Sequence, residues 1–260
     1  MPPTYSSYLK LDQLLNLQEF RSKDREHDEL LFIITHQVYE LWFKQVLHET
    51  DHLIRLLGKS DLPRAQHTLK RILTILKTMV SQLDILETMT PTEFLSFREF
   101  LSSSSGFQSA QFRELEFVLG HKRPQVLSRF LEDSPEYKRL QARLANPGLW
   151  DAFLHCLHAH DLPIPADRLS RDPTQPLAPD PDVQQILIQV YRTHPSLTQL
   201  CELLVDLDEG LQEWRYRHVK MVERTIGNKQ GTGGSSGVGY LAKTLFQPVF
   251  PDLWAIRTEL

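Results

Sequence analysis

The 260-residue chain predicts an all-α fold, a helical bundle with several long helices. Three observations carry that prediction. The run from Asp24 to Leu57 holds no proline or glycine. Apolar residues in this and two later runs recur at three- and four-residue steps, the period of a helix with one buried face. Nowhere does a stretch alternate apolar and polar residues as a half-buried strand would, and no repeat of solenoid length is present.

In the first run Leu30, Ile34, Leu41, Phe43, Leu47, Leu53 and Leu56 are interspersed with charges, predicting one long helix with a frayed start. The part from His27 to Gln45 is apolar on several faces, so this helix should be central. Leu69, Leu73, Leu76, Val80, Leu83 and Leu86 predict a second long helix over Leu62 to Met89, between Pro63 in its first turn and Pro91 beyond its end. Thr90-Pro91-Thr92-Glu93 can cap a shorter helix through Leu101, which the polar run from Ser102 to Gly106 must break before another helix to about Leu119. Modest helices follow from Ser134 and around Trp150. Between Asp161 and Asp182 lie six prolines without periodicity, an irregular excursion and the best candidate for a domain boundary. The last long helix spans Ser196 to about Ile226, with Leu200, Leu204, Leu207, Leu211, Trp214, His218 and Met221 on one inward stripe and Gly227 as its stop. A short helix is expected from about Tyr240.

The length suits a single domain over 1–260. Lysines and arginines number 29 against 33 acidic residues, a net charge of only -4, so no long-range field draws nucleic acid or anionic lipid. Cys156 and Cys201 are the only cysteines, too few for a disulfide framework or a zinc ribbon. No stretch approaches the roughly 20 apolar residues of a membrane span, and no basic run precedes an apolar core as in a secretory signal. A soluble, cytoplasmic protein is the expectation.

Several residues could carry chemistry. Phe32, His36, Tyr39 and Phe43 share one helical face, which makes His36 either a core histidine satisfied by a hydrogen bond or a group of the site. His218 takes a place that Leu, Trp and Met hold elsewhere on its stripe; burying an imidazole there costs free energy unless its nitrogens are used, and a metal or haem iron is one user. Arg98, with Phe94, Phe97 and Leu101 around it, is either a snorkelling surface arginine or a clamp for a carboxylate. Ser102 to Ser109 offer hydroxyls and N–H groups before a helix, as an anion site or simply a cap. The glycine-rich run from Gly227 to Gly237 lacks the spacing of a phosphate or dinucleotide loop; a linker or a substrate-responsive loop using Thr232 remains. Glu49 and His52 have the spacing of a di-iron motif without a second copy. They read as a solvated face, as do His155, His158 and His160 around Cys156.

The sequence resembles the tryptophan 2,3-dioxygenase family from Tyr5 to the carboxyl end. The blocks that carry this are Tyr5-Ser-Ser-Tyr8-Leu9-Lys-Leu-Asp12, His27 to Gln45, Phe97-Arg98-Glu-Phe-Leu101, Ser105-Gly106-Phe107-Gln108-Ser109, Arg217-His218 and Gly231-Thr232-Gly233-Gly234-Ser235-Ser236-Gly237. The resemblance implies a b-type haem, ferrous when active, and cleavage of the indole C2–C3 bond of L-tryptophan by O2 to give N-formyl-L-kynurenine. It implies that His218 is the proximal haem ligand, and that the distal His36 hydrogen-bonds the indole N–H. Arg98 is expected on the substrate carboxylate, with Thr232 on the carboxylate and ammonium. Phe32, Phe94 and Leu101 would line the indole pocket, and Ser105 and Gly106 would lie against the haem. Tyr5, Tyr8 and Leu9 would come from a neighbouring subunit of a homotetramer, the segment 1–20 reaching across. Phe94 stands where some bacterial members carry tyrosine, and the four serines before Gly106 depart from the family's more varied residues. A haem monooxygenase of the same superfamily, acting on an indole derivative, is the alternative of the same type; a di-iron or non-catalytic bundle is the alternative from another class.

Overall fold

The computed structural model of the protein describes residues 2–102, 104–227, 229, 238–242 and 244–260. Several of its helices begin where the sequence supplies an oxygen to accept the first unpaired N–H groups. After α1 (Tyr5–Leu9) and α2 (Leu11–Leu14) comes α3 (His27–Leu57), which starts later than Asp24 because Arg25 takes a left-handed backbone, φ 51°. Asp61 caps α4 (Leu62–Leu86) by accepting from the Arg64 N–H. Thr90 and Glu93 form the reciprocal capping box of α5 (Pro91–Arg98), as the sequence predicts. The α-helix stops at Arg98, and a 3-10 turn, Glu99–Leu101, completes the expected segment. α4 ends three residues short of Met89 because the chain must become extended at Thr90 (ψ 160°) to make that cap.

Ser109 caps α6 (Ala110–Leu119), which ends on Gly120 at φ 115°; a Cβ there would also lie 2.5 Å from Leu177 Cδ1. Beyond it follow α7 (Pro135–Ala145), α8 (Leu149–His158) and the single turn α9 (Ala166–Leu169) within the proline-rich stretch. That stretch is pinned to the bundle by buried Leu162 and Ile164 and by Arg171 on Asp151, 2.5 Å. α10 (Pro181–Thr193) leads to α11 (Pro195–Ile226), and α12 (Val238–Ala242) and α13 (Pro251–Ala255) close the chain. Among the described residues there is no strand, and no helix is long and apolar enough to cross a membrane.

α4 packs along both α3 and α11, whereas α3 and α11 stand apart from each other. Two ties set this spacing. The Tyr39 hydroxyl donates to the Met79 carbonyl at 2.6 Å, and Arg217 reaches Asp84 at 2.5 Å and Glu87 at 3.3 Å. Asp208, fully buried on α11, accepts from the Val249 and Phe250 N–H groups and from Trp254 Nε1 at 2.8–2.9 Å, holding the C-terminal segment against the helix.

Two expectations need correcting. Glu49 is not on a solvated face: it is buried and bonded to Arg71 and Gln45, because the helix turns it toward α4. Leu30, Ile34 and Leu41, periodic apolar residues of α3, are 36%, 43% and 52% exposed, so among the described residues that side of the helix is left uncovered. His155 and His158 are exposed, and His160 Nδ1 bonds the Cys156 carbonyl at 2.8 Å.

Candidate functional site

The gap between α3 and α11 is a cavity of about 290 Å³. α3 brings Phe32, His36, Tyr39 and Phe43 to it, the face that periodicity grouped. α5 and the following turn bring Phe94, Arg98 and Leu101, the next loop Ser105 and Gly106, and α11 Trp214 and His218. Eight sequence-selected residues therefore meet in one place: Phe32, His36, Phe94, Arg98, Leu101, Ser105, Gly106 and His218. Thr232 lies outside the described residues. Tyr5, Tyr8 and Leu9 do not line this cavity; they are exposed on α1, the two tyrosines by 77% and 76%.

The two histidines are held differently. His36 Nδ1 lies 2.7 Å from the Phe32 carbonyl. A carbonyl only accepts, so this nitrogen carries the proton and Nε2 keeps its lone pair. The rings of Phe32 and His36 are 4.0 Å apart, and burial pushes the imidazole below its ordinary range against the pull of the Phe32 carbonyl and Glu40. Among the described residues His218 makes no hydrogen bond. Its ring stacks on Trp214 at 5.4 Å, 13° from parallel. Burial, with a smaller contribution from His36, pushes it down to about 4, so the ring is neutral near pH 7 and a lone pair is available to an electrophile or metal.

Around the outer wall the aromatic rings of Phe32, Phe94 and Phe97 meet at 5.4–5.9 Å, a surface suited to a flat apolar group. Gly106 adds room: a Cβ built there would meet nothing within 4 Å. Arg98 is half-buried at the end of α5, its position fixed by the Thr90–Glu93 cap two turns earlier.

A feature that sequence reading missed lies at another part of the wall. Glu116 receives Arg113 at 2.7 Å, Arg123 at 2.6 Å and, more distantly, Arg215 at 3.6 Å. Burial raises the Glu116 carboxyl, but the three guanidinium groups more than offset this and hold it below its ordinary range. His121 beside them is pushed down to about 4 by burial and by Arg215. Asp208 also reaches Arg215, so this part of the wall gathers three guanidinium groups around one buried carboxylate. One signal was present: Arg215 follows Leu211 by four residues and so shares the inward stripe of α11.

Among the described residues no three His, Cys, Asp or Glu side chains lie together as a protein-only metal cage. The arrangement instead offers one free neutral imidazole, one oriented acceptor, aromatic walls and guanidinium groups.

A sequence model of the family described as Tryptophan 2,3-dioxygenase matches residues 2–143 and 167–260. The chain is 62% identical to the tryptophan 2,3-dioxygenase of Herpetosiphon aurantiacus over 257 residues, 99% of this chain and 98% of the relative. It is 54% identical to that of Anaeromyxobacter dehalogenans, covering 99% and 96%, and 46% identical to that of Caulobacter vibrioides, covering 99% and 98%.

Proposed function

The chain belongs to the tryptophan 2,3-dioxygenase family and is an enzyme that joins O2 to L-tryptophan, and we propose that it does so with a b-type haem carried on His218. The observation that carries this reading is the pair of imidazoles facing one cavity, with His218 neutral and unbonded and His36 fixed as an acceptor. The residues present fit the group. His218 would offer a ligand nitrogen, Gly106 leaves open space where a Cβ would stand, Ser105 lines the same cavity, and Arg113, Arg123 and Arg215 would supply positive charge for porphyrin carboxylates. Bound in the ferrous state, the haem supplies O2 activation, chemistry no amino-acid side chain can perform.

The chain's own residues orient the substrate. The Nε2 lone pair of His36 accepts the indole N–H, which fixes the ring's rotation within the wall formed by Phe32, Phe94 and Leu101. Arg98 pairs with the carboxylate, and Thr232 completes the grip on the amino-acid end. Holding the C2–C3 bond in one place removes the entropy of a bimolecular encounter. The apolar ring adds affinity at roughly 25 cal/mol per Å² of buried surface. The product is N-formyl-L-kynurenine.

Tyr5, Tyr8 and Leu9 serve a neighbouring chain's site in a homotetramer. Their exposure, and that of Leu30, Ile34 and Leu41 on α3, supports association: together they leave apolar surface that one chain does not cover. Both cysteines are unpaired and buried, which suits the reducing cytoplasm.

The test is mass spectrometry of the product formed by ferrous, haem-loaded protein from L-tryptophan under ¹⁸O2. Two labelled oxygens in N-formyl-L-kynurenine are expected; one label in an intact indole derivative would overturn the reading.

A further inference from the structure

Behind the main cavity is a second, smaller void of about 20 Å³, room for one molecule of the size of water or O2. We propose that this void is a holding site for O2, the apolar co-substrate; the inference rests on the dioxygenase reading above.

The two spaces share three walls, Phe43, Phe112 and Trp214. These rings contact one another, with centroids 5.5 Å apart for Phe43 and Phe112, 5.2 Å for Phe112 and Trp214, and 6.1 Å for Phe43 and Trp214. The partition thus takes one ring from the helix of His36, one from α6 and one from the helix of His218, a turn before that histidine. Beyond it the void is closed by core side chains such as Ile72 on α4 and Leu207 on α11, 1% and 4% exposed.

The chemistry of the lining selects the occupant. The Thr50 hydroxyl already donates to the Val46 carbonyl at 2.8 Å, leaving the Trp214 indole N–H as the other side-chain polar group of the wall. The Thr50 oxygen can still accept, but it and the indole N–H turn almost no polar surface to the void, whereas a buried water is held by two to four polar partners. A small apolar molecule loses no hydrogen bonds on entering such a space and is favoured there over water. Interior voids larger than a water are few, and each one costs packing energy; this one adjoins the space where O2 is consumed.

Position gives the site a use. L-tryptophan lying between His36 and Arg98, beside the haem proposed on His218, crowds the main cavity and obstructs entry from that side. O2 stored behind the ring partition reaches the same space by aromatic side-chain motion, without displacing the amino acid.

Crystals of the haem-loaded protein under xenon pressure test the site. Xenon density between Ile72, Leu207 and Phe43 is expected, and its absence would overturn the proposal. The use is tested by stopped-flow mixing of O2 with the ferrous, tryptophan-loaded enzyme and its Leu207→Phe variant, which fills the void. A several-fold slower O2 association is expected, with the haem spectrum and tryptophan dissociation constant unchanged; an unaltered association rate would overturn it. Should that variant fail to fold, Ile72→Phe fills the same void from α4. Protein that takes up no haem would defeat the functional reading instead, and the xenon experiment would still decide whether the void binds an apolar gas.

Discussion

His36 and His218 face one cavity from opposite helices, yet only one of the rings is tied down. The Phe32 carbonyl fixes His36's tautomer and rotation, while His218 lies against Trp214 with no hydrogen bond among the described residues. A half-buried imidazole without a hydrogen bond, facing a cavity, is a ring that a bound group can complete. The contrast fits the different work proposed for similar residues: His36, locked by its own helix, presents a lone pair in one direction, and His218 is left with a lone pair to give.

The largest expected effect breaks the unbonded side. His218→Ala should abolish stable haem incorporation, read as loss of the histidine-ligated absorption spectrum after reconstitution. A variant that keeps that spectrum would show that another group ligates the iron. His36→Ala tests the tied side and should spare the haem spectrum, lowering kcat/KM for tryptophan by roughly 10- to 100-fold, the worth of one buried hydrogen bond to an oriented group. Loss of haem from this variant instead would erase the distinction between the two rings.

Arg98, which lines the same cavity and is proposed to hold the other end of the substrate, sharpens the comparison. Arg98→Ala should reduce kcat/KM for L-tryptophan by roughly 10- to 100-fold, the scale of a charge-assisted hydrogen bond, while a 3-alkylindole lacking the carboxylate loses little. Equal losses for the two compounds would place Arg98 in the scaffold.

The same pair shows what one sequence makes legible. Periodicity located both histidines on inward faces, and the Thr90–Glu93 box located the helix that presents Arg98, because caps and stripes are local and repeat with the helix. The Glu116 cluster was hidden. Its arginines lie on α6, on the loop after it and on α11, and only the folded chain makes three ordinary surface-type residues into one buried charge group. The exposure of Leu30, Ile34 and Leu41 was equally hidden: periodicity marks a helix apolar on more than one face without saying which face is covered.

The smallest effect follows from the proton on His36. Its ordinary value is near 6.5 and burial lowers it, so the neutral ring, with Nε2 able to accept, persists below pH 6.5. As the pH falls through the lowered value, Nε2 gains a proton and meets the indole N–H as a second donor; kcat/KM falls with it. The midpoint of the His36 limb in the pH profile for tryptophan is therefore expected below pH 6.5. His36→Asn separates this titration from general acid damage, because a carboxamide oxygen accepts the same hydrogen bond without titrating in that range. The variant should be slower than the native enzyme at pH 7.5, with the His36 limb removed. A limb that stays in place would move the titrating group elsewhere in the cavity, and a native limb above pH 6.5 would mean that the ring is less sheltered than its contacts with Phe32 and the cavity wall require.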